Sequence, residues 1–398
     1  MVSFILPGNS ASGEYEVANS LRFEPNDNDH LERDPSSSGN RSTFTISFWM
    51  KISEVTTGTR FIIGSTSNGS NDYFAIRMEN HKIECLAYNN GSKVLSFSSN
   101  VLLRDPSAWY HIVTAIDTTQ GTEANRFKMY LNGSQITSWA TSDYPSVNAT
   151  MQWNHTENHF IGCFTEGVSN FRGYLSEIVN IDGSQLDVTS FGKFDSDSPN
   201  IWKPKNVSGL TFGTNGFYLD FEDSSALGND AAGSNNFSVN NLTAVDQCTD
   251  TCTNNFATFN GNLSYNSTIV LAEGNLKGTT GSTHEARTQS IFSSIGVTQG
   301  KWYAEFKVTT NSNHSLVGIS ADMESDADGS SGSAYSFIYL GQGLGYYGSN
   351  GKIFHTNSDT QMTYGSAVSN NDIIGVALDA DNQEVYFSIN GTFQNSGN

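Results

Sequence analysis

The sequence predicts an all-β protein of two antiparallel β-sandwich domains with a coil-rich connector between them. Three observations carry this reading: apolar and polar residues alternate with period two in many short runs, Asn-Gly pairs close those runs, and helical periodicity is nearly absent. Helix content is expected below about 10%, against a usual third.

In 43–52, TFTISFWMKI, one face carries Phe44, Ile46, Phe48, Met50 and Ile52 and the other Thr43, Thr45, Ser47, Trp49 and Lys51, the pattern of a half-buried strand. Phe127, Met129 and Leu131 repeat it ahead of Asn132-Gly133, and Val385, Phe387 and Ile389 ahead of Asn390-Gly391. Further Asn-Gly pairs begin at Asn68, Asn90, Asn215, Asn260 and Asn350, and both residue types tolerate the positive φ of tight hairpins. The best helical stretch is one short turn near 185–192. From about 195 to 262 the alternation weakens and Ser, Asn, Gly and Asp dominate. The expected division is a domain over 1–195, a connector over 196–262 and a second domain over 263–398. Within the connector, residues 217–221, FYLDF, are expected to lie against a neighbouring sheet.

The 398 residues hold 20 Lys and Arg against 40 Asp and Glu, a formal net charge of −20. That leaves no basic footprint for a nucleic-acid backbone or an anionic lipid surface, so both partners are disfavoured. Aromatic residues make up 12% of the chain, too many for a disordered acidic tail. No apolar run reaches the ~18 residues of a membrane helix. Residues 1–8, MVSFILPG, lack a basic leader, so synthesis in a cytoplasm without signal-peptide export is expected. Cys85, Cys163, Cys248 and Cys252 are too few for a disulfide framework. The Cys248–Cys252 spacing has no second metal half-site and reads as two loop thiols.

Several phrases of the first half resemble the laminin-G-like, concanavalin A-like jelly-roll domains over roughly 15–190: NSLRF at 19–23, FTISFW at 44–49, WYHIV at 109–113, FKMYLNG at 127–133, and FIG at 160–162 with FRGYLSEI at 171–178. The second half resembles a SPRY domain, through GKWYAEFKV at 300–308, VGIS at 317–320, GYYG at 345–348, DIIGVALD at 372–379 and VYFSING at 385–391. SPRY domains continue past this last hairpin, so the second domain is expected to be incomplete at its C-terminus. That would leave an open strand edge lined by Asp372 to Asn390 and favour a homo-oligomer or a complex with a neighbouring subunit. Together with FILPG at 4–8, EVANSLRF at 16–23 and TNNFATF at 253–259, the domain pair resembles virion structural proteins of marine tailed phages. The resemblance implies a virion location after release by lysis, virion proteins as partners and a host surface glycan as ligand. It points to a tail-fibre or appendage adhesin without catalysis. The alternatives are a purely architectural capsid decoration or connector protein and, disfavoured, a glycan-cleaving enzyme.

The chemistry agrees with a non-enzyme. Glycoside cleavage needs two carboxylates across the scissile bond, and the laminarinase-type Glu-x-Asp-x-(x)-Glu run is absent; Asp220-Phe-Glu222 and Glu14-Tyr-Glu16 are incomplete. No nucleophile elbow stands between a strand and a helix. His111 lies in a strand pattern and is expected to hydrogen-bond rather than ligate, while His155 and His159 read as loop residues. No cofactor is expected. Calcium has weak candidates in Asp27 and Asp29 and in Asp322 and Asp326, the latter lacking the bidentate Glu of an EF-hand loop. For sugar, rings must stack on pyranose faces beside amides that read hydroxyls. Trp139, Tyr144, Trp153, Asn154 and His155 are the first-domain candidates, and Tyr346, Tyr347 and His355 the turn-borne ones of the second. Tyr346 and Tyr347 are strand neighbours, so one of them is expected to pack inward.

Overall fold

A computed structural model describes residues 15–24, 27–53, 57–69, 71–165, 169–265, 269–279, 290–310, 315–321, 343–355 and 361–397. They are all-β: strands joined by turns, with 3-10 turns and no α-helix among the described residues. The turn expected near 185–192 is the 3-10 turn Val188–Ser190, capped by the Asp187 carboxylate. The described chain divides into a first unit, up to Thr258 with 272–276, and a second, over 259–271 and from Lys277 onward.

In the first unit two eight-stranded sheets face each other, counted among the described residues. The first runs Ser134–Gln135, Phe127–Leu131, Trp109–Asp117, Thr43–Ile52, Gly173–Asp182, Ser20–Phe23, Gln247–Cys248, with Phe217–Leu219 also on Gly173–Asp182. The second runs Trp139–Asp143, Ser92–Leu102, Lys82–Asn89, Asp72–Glu79, Thr59–Asn68, Asn158–Ile161, His30–Arg33, Ser238–Asn240. Phe44, Ile46, Phe48 and Met50 meet Phe74, Ile76, Ile83 and Phe97 in the core between them. At Asn90-Gly91 and Asn132-Gly133 both residues have positive φ, 49° and 70°, then 47° and 81°, as two-residue hairpins require.

The strand Thr43–Ile52 departs from its expectation. It is buried on both faces, because a second apolar cluster lies outside the first sheet. Trp49, Trp109, Tyr174 and Val179 of the sheet pack there against Val188, Phe191, Trp202, Val207 and Tyr218. Most of this cover comes from the stretch expected as a connector, which belongs to the first unit as far as Thr258. Residues Phe217–Leu219 lie against the sheet as expected, paired with Ile178 to Asn180. Gly133 makes the cover fit: a Cβ there would collide with the Trp202 ring.

Polar groups fasten the cover. Lys51, 0% exposed, donates from Nζ to Asp250 Oδ2 (2.7 Å), Asn255 Oδ1 (2.8 Å) and the Phe256 carbonyl (2.6 Å). Trp109 Nε1 donates to the other Asp250 oxygen at 3.0 Å. Burial pushes the Lys51 ammonium below its ordinary pKa, and Asp250 opposes that shift. His111 is a hydrogen-bonded strand residue, as expected. Trp202 Nε1 donates to its Nδ1 (2.9 Å), which leaves Nε2–H to donate to Ser47 Oγ (2.8 Å), while Trp49 stacks on the ring at 4.6 Å.

The second unit holds two four-stranded sheets among its described residues. One orders Lys301–Lys307, Ile373–Asp379, Glu384–Ile389 and Thr392–Phe393; the other Leu316–Ser320, Gly343–Tyr347, Lys352–His355 and Gln361–Thr363. Phe387, Ile374, Val376, Tyr346 and Ile353 form its core, with Val385 and Ile389 packed partly against it. The edge expected at Asp372 to Asn390 is covered only in part. Ile373–Asp379 is flanked on both sides, and past Asn390-Gly391 the chain returns as Thr392–Phe393 to pair with Ile389 and Ser388.

Asp250→Ala would strand the Lys51 ammonium in an apolar layer. Removing one partner of a buried ion pair costs about 3–5 kcal/mol, so urea unfolding should show a lower midpoint and a loss of that size.

Candidate functional site

The outer face of the second sheet presents a different surface. In Asp72–Glu79, Phe74, Ile76 and Met78 enter the core, so period two places Tyr73, Ala75, Arg77 and Glu79 on the opposite face. In Lys82–Asn89, Ile83, Cys85 and Ala87 point inward and Glu84, Leu86 and Tyr88 outward. Register then sets Tyr73 opposite Tyr88, Ala75 opposite Leu86 and Arg77 opposite Glu84. On the next strand Ser96 stands opposite Leu86 and Ser98 opposite Glu84.

The rings form a continuous group. Tyr73 and Tyr88 stack at 5.0 Å with 16° between planes. Phe164 meets Tyr73 edge-on at 5.3 Å and stacks on Phe61 at 4.4 Å, and the Arg77 guanidinium lies 5.5 Å from the Phe61 ring centre. Charges here are internally matched. Arg77 Nε donates to Glu84 Oε2 at 3.0 Å, its Nη2 lies 3.8 Å from Glu79, and Lys93 pairs with Asp143 at 2.5 Å. Tyr73 and Tyr88 are half-buried, and neither hydroxyl has a hydrogen-bond partner among the described residues. Burial, helped by the Tyr88 phenol, pushes the Tyr73 phenol up to about 12, so it remains a neutral donor. Half-buried rings, free hydroxyls and paired charges suit a neutral ligand rich in hydroxyls and C–H faces.

Of the residues expected to bind sugar, Trp153 and Asn154 are corrected by their burial, while Trp139, Tyr144 and His155 are half-buried. Trp153 is 0% exposed and donates from Nε1 to Asn180 Oδ1 at 2.9 Å. Asn154, also fully buried, donates from its backbone to His159 Nε2 (3.0 Å) and from Nδ2 to Asp182 Oδ1 (3.2 Å). A ring or amide sealed in this way cannot stack on a ligand. Trp139 and Tyr144 close the edge of the core, edge-on to Phe97 at 5.0 and 4.8 Å. His155 is half-buried, 3.5 Å from Glu157. His159 is no loop residue: it sits 1% exposed in the strand Asn158–Ile161 and reaches the Glu157 carbonyl from Nδ1 at 2.7 Å.

In the second unit Tyr346 is the inward one of the pair, 0% exposed, with its hydroxyl donating to the Ser366 carbonyl at 2.5 Å, so it is core and not a ligand contact. Tyr347 is half-buried, edge-on to Phe354 at 4.9 Å, and His355 is half-buried on the Lys352–His355 strand. Of the calcium candidates, Asp27 is exposed and Asp29 buried, with Oδ2 accepting from the Glu24 amide at 2.9 Å and its carboxyl pushed up to about 7 by burial. Asp322 and Asp326 lie outside the described residues. Among the described residues no three His, Cys, Asp or Glu side chains gather as a metal site. All four cysteines are free thiols. The Tyr73–Tyr88 face was missed because its rings are single residues in two separate alternating runs; the signal was there in DYFAIRME and KIECLAYN, read as paired strands.

The concanavalin A-like lectin/glucanases superfamily profile matches residues 25–182, and the SPRY domain profile matches 301–396, so domains of these two kinds occur in the order expected. No curated protein matches the chain. Among solved structures, a native heptameric SAP-like pentraxin from Limulus polyphemus is similar at 19% identity and TM-score 0.31, over 43% of this chain and 79% of that one. Mouse laminin α1 chain domains LG4-5 are similar at 10% identity and TM-score 0.34, over 99% and 79%. A Ruminococcus gnavus IT-sialidase CBM40 bound to α2,3-sialyllactose is similar at 13% identity and TM-score 0.29, over 39% and 85%.

Two outcomes are expected. Trp153→Ala should cost about 3–5 kcal/mol in unfolding experiments, the loss typical of a large buried aromatic. Burial also pushes His111 and His159 down to about 3 from the 6.5 of an exposed imidazole. The unfolded chain binds protons that the folded chain refuses, so stability is full above about pH 6.5 and falls as pH drops toward 3. As pH falls from 7 to 4 the stability of His159→Gln relative to the wild type should rise, a difference in urea midpoints that cancels the opposite contributions of the raised Asp29 and Glu177 carboxyls.

Proposed function

We propose that the first unit is a non-catalytic glycan-binding module, acting through the outer face of its second sheet, in a virion appendage that contacts host surface glycans. The observation that carries the binding reading is the half-exposed group of Tyr73, Tyr88 and Phe164, backed by the buried Phe61 and bordered by Arg77 and Glu84, with two free phenol hydroxyls. The match to a lectin-containing superfamily over 25–182 supports it. Rings bind the C–H faces of sugars and hydroxyls bind hydroxyls, and neither requires chemistry on the glycosidic bond. The carboxylates of this face, Glu79 and Glu84, neighbour Arg77, which suits holding the surface together rather than donating a proton to a leaving group. The virion setting rests on the domain pair and its phrasing. There the particle supplies attachment, and repeated copies turn weak single contacts into avidity.

A second reading, a capsid decoration or connector that binds only virion subunits, is favoured by Trp302 and Tyr303 of the strand Lys301–Lys307, which are 40% and 54% exposed. Exposed rings of this kind are common anchors of protein interfaces. Under either reading the chain works as an oligomer or within a virion complex, and because its −20 charge opposes association, assembly should tighten with salt.

A glycan array followed by calorimetric titration of any glycan that binds separates the two. Tyr73→Ala and Tyr88→Ala should each weaken binding about tenfold, the loss of one ring contact of ~1.4 kcal/mol, while leaving the circular dichroism spectrum intact. A blank array, or affinity unchanged in both variants, would sink the glycan reading for this face. Tight association with virion subunits that is lost in Trp302→Ala would then support the second.

A further inference from the structure

Beneath the covering segment of the first unit lies a buried acid that none of the binding chemistry uses. Glu177 interrupts the long strand Gly173–Asp182 at a bulge: the register with Thr43–Ile52 shifts between Ser176 and Val179, and Glu177 itself has φ 51°. A positive φ on a glutamate is costly and persists only where the surroundings enforce it. The carboxyl meets two phenols. Tyr15 Oη lies 2.8 Å from Glu177 Oε2, Tyr218 Oη lies 2.8 Å from both carboxyl oxygens, and the two phenol oxygens are 2.7 Å apart.

Three oxygen groups therefore touch pairwise at hydrogen-bond distance. Each contact requires one proton between its oxygens. Two phenols and a carboxylate hold two protons, leaving one contact as bare oxygen against oxygen. Two phenols and a carboxylic acid hold three, one for each pair of groups, with the single Tyr218 proton serving its contact to the carboxyl at both oxygens.

We propose that Glu177 is the protonated member of a closed three-proton ring with Tyr15 and Tyr218, and that this ring is a pH-operated clasp holding the segment that begins at Tyr15 and the Phe217–Leu219 strand onto the bulge.

The other groups facing the acid favour the same state. Glu177 makes no ion pair among the described residues, and the nearby groups are Asp220, Glu222 and the half-buried Cys252 thiol. Burial pushes the Glu177 carboxyl up to about 7, with Asp220 and Glu222 adding and the two phenols opposing. Burial raises both phenols, so the proton that leaves is the carboxyl's. Above that pH the surplus contact repels. Tyr15, the more exposed phenol, is the partner that yields, and with it the 15–19 segment, held otherwise by Val17 N donating to Thr253 Oγ1 (3.0 Å) and Thr251 Oγ1 donating to the Val17 carbonyl (3.0 Å). Because the folded pKa lies above the unfolded one, this stabilisation is full below about pH 4.5 and is lost as pH rises through 7.

Carbon-detected NMR titration of the full chain labelled in glutamate carboxyls, with the Glu177 signal assigned by its loss in Glu177→Gln, reads the proton directly. A midpoint near 7 is expected, and one in the ordinary glutamate range near ~4.3 overturns the clasp. Tyr15→Phe keeps the ring's bulk and removes one hydroxyl. If burial alone raises Glu177, losing a donor to the carboxylate moves the midpoint further up. If the missing third proton raises it, the midpoint moves down, and that is the expected result; an unchanged or raised midpoint counts against the ring. In wild type the unfolding constant should grow between pH 4.5 and 7 relative to Glu177→Gln, by up to tenfold per pH unit. Parallel curves for the two proteins would also overturn it.

Discussion

The first sheet of the first unit is apolar on both faces, and most of the architecture follows from covering it twice. Its inner face meets the second sheet in the ordinary way of a sandwich. Its outer face carries Trp49, Trp109, Val113, Tyr174, Val179 and Ile181, a surface too apolar to leave in water. The stretch from Val188 to Thr258 has little regular structure of its own and answers that need, laying Phe191, Trp202, Val207 and Tyr218 over the sheet. This is why a Ser/Asn/Gly-rich segment folds as part of a domain: its sparse large side chains are spaced to reach one surface, and its glycines let the backbone lie close.

Covering one sheet on its outer side while leaving the other open makes the unit asymmetric. On that sheet rings from adjacent strands, Tyr73 and Tyr88, stand together half-exposed, and neither hydroxyl has a partner among the described residues. The same aromatic chemistry that seals one side of the sandwich is available for a ligand on the other. What differs is whether a covering segment lies over it.

The chain handles its charge imbalance in two ways, with Arg41 and Arg126 held by backbone carbonyls and other cations by acids. Cations are scarce, and several are placed beside carboxylates: Lys51 with Asp250, Arg22 with Asp246 and Glu273, Arg77 with Glu84, Lys301 with Asp379. Around Glu177, which makes no ion pair among the described residues, the answer is a proton. Burial costs His111 and His159 their protons and lets Glu177 keep one, so acidification weakens the first unit through the two histidines and strengthens it through the glutamate.

Strands and hairpins were legible in the sequence because their causes are local. Alternation sets which face of a strand is apolar, and Asn132-Gly133 or Asn390-Gly391 adopt positive φ with little help from elsewhere. The all-β class, the inward Phe127 and Met129, and the fact that one of Tyr346 and Tyr347 turns inward all follow from such short-range rules. Exposure was not legible. Trp153 and Tyr88 are both aromatic residues among polar neighbours, yet one is sealed by Asn180, 27 residues away, and the other is left open. Lys51 reads as a solvated charge until Asp250, 199 residues later, is folded onto it. Whether a ring or a charge is core, clasp or binding surface depends on which distant segment arrives above it, and only the packed chain decides that.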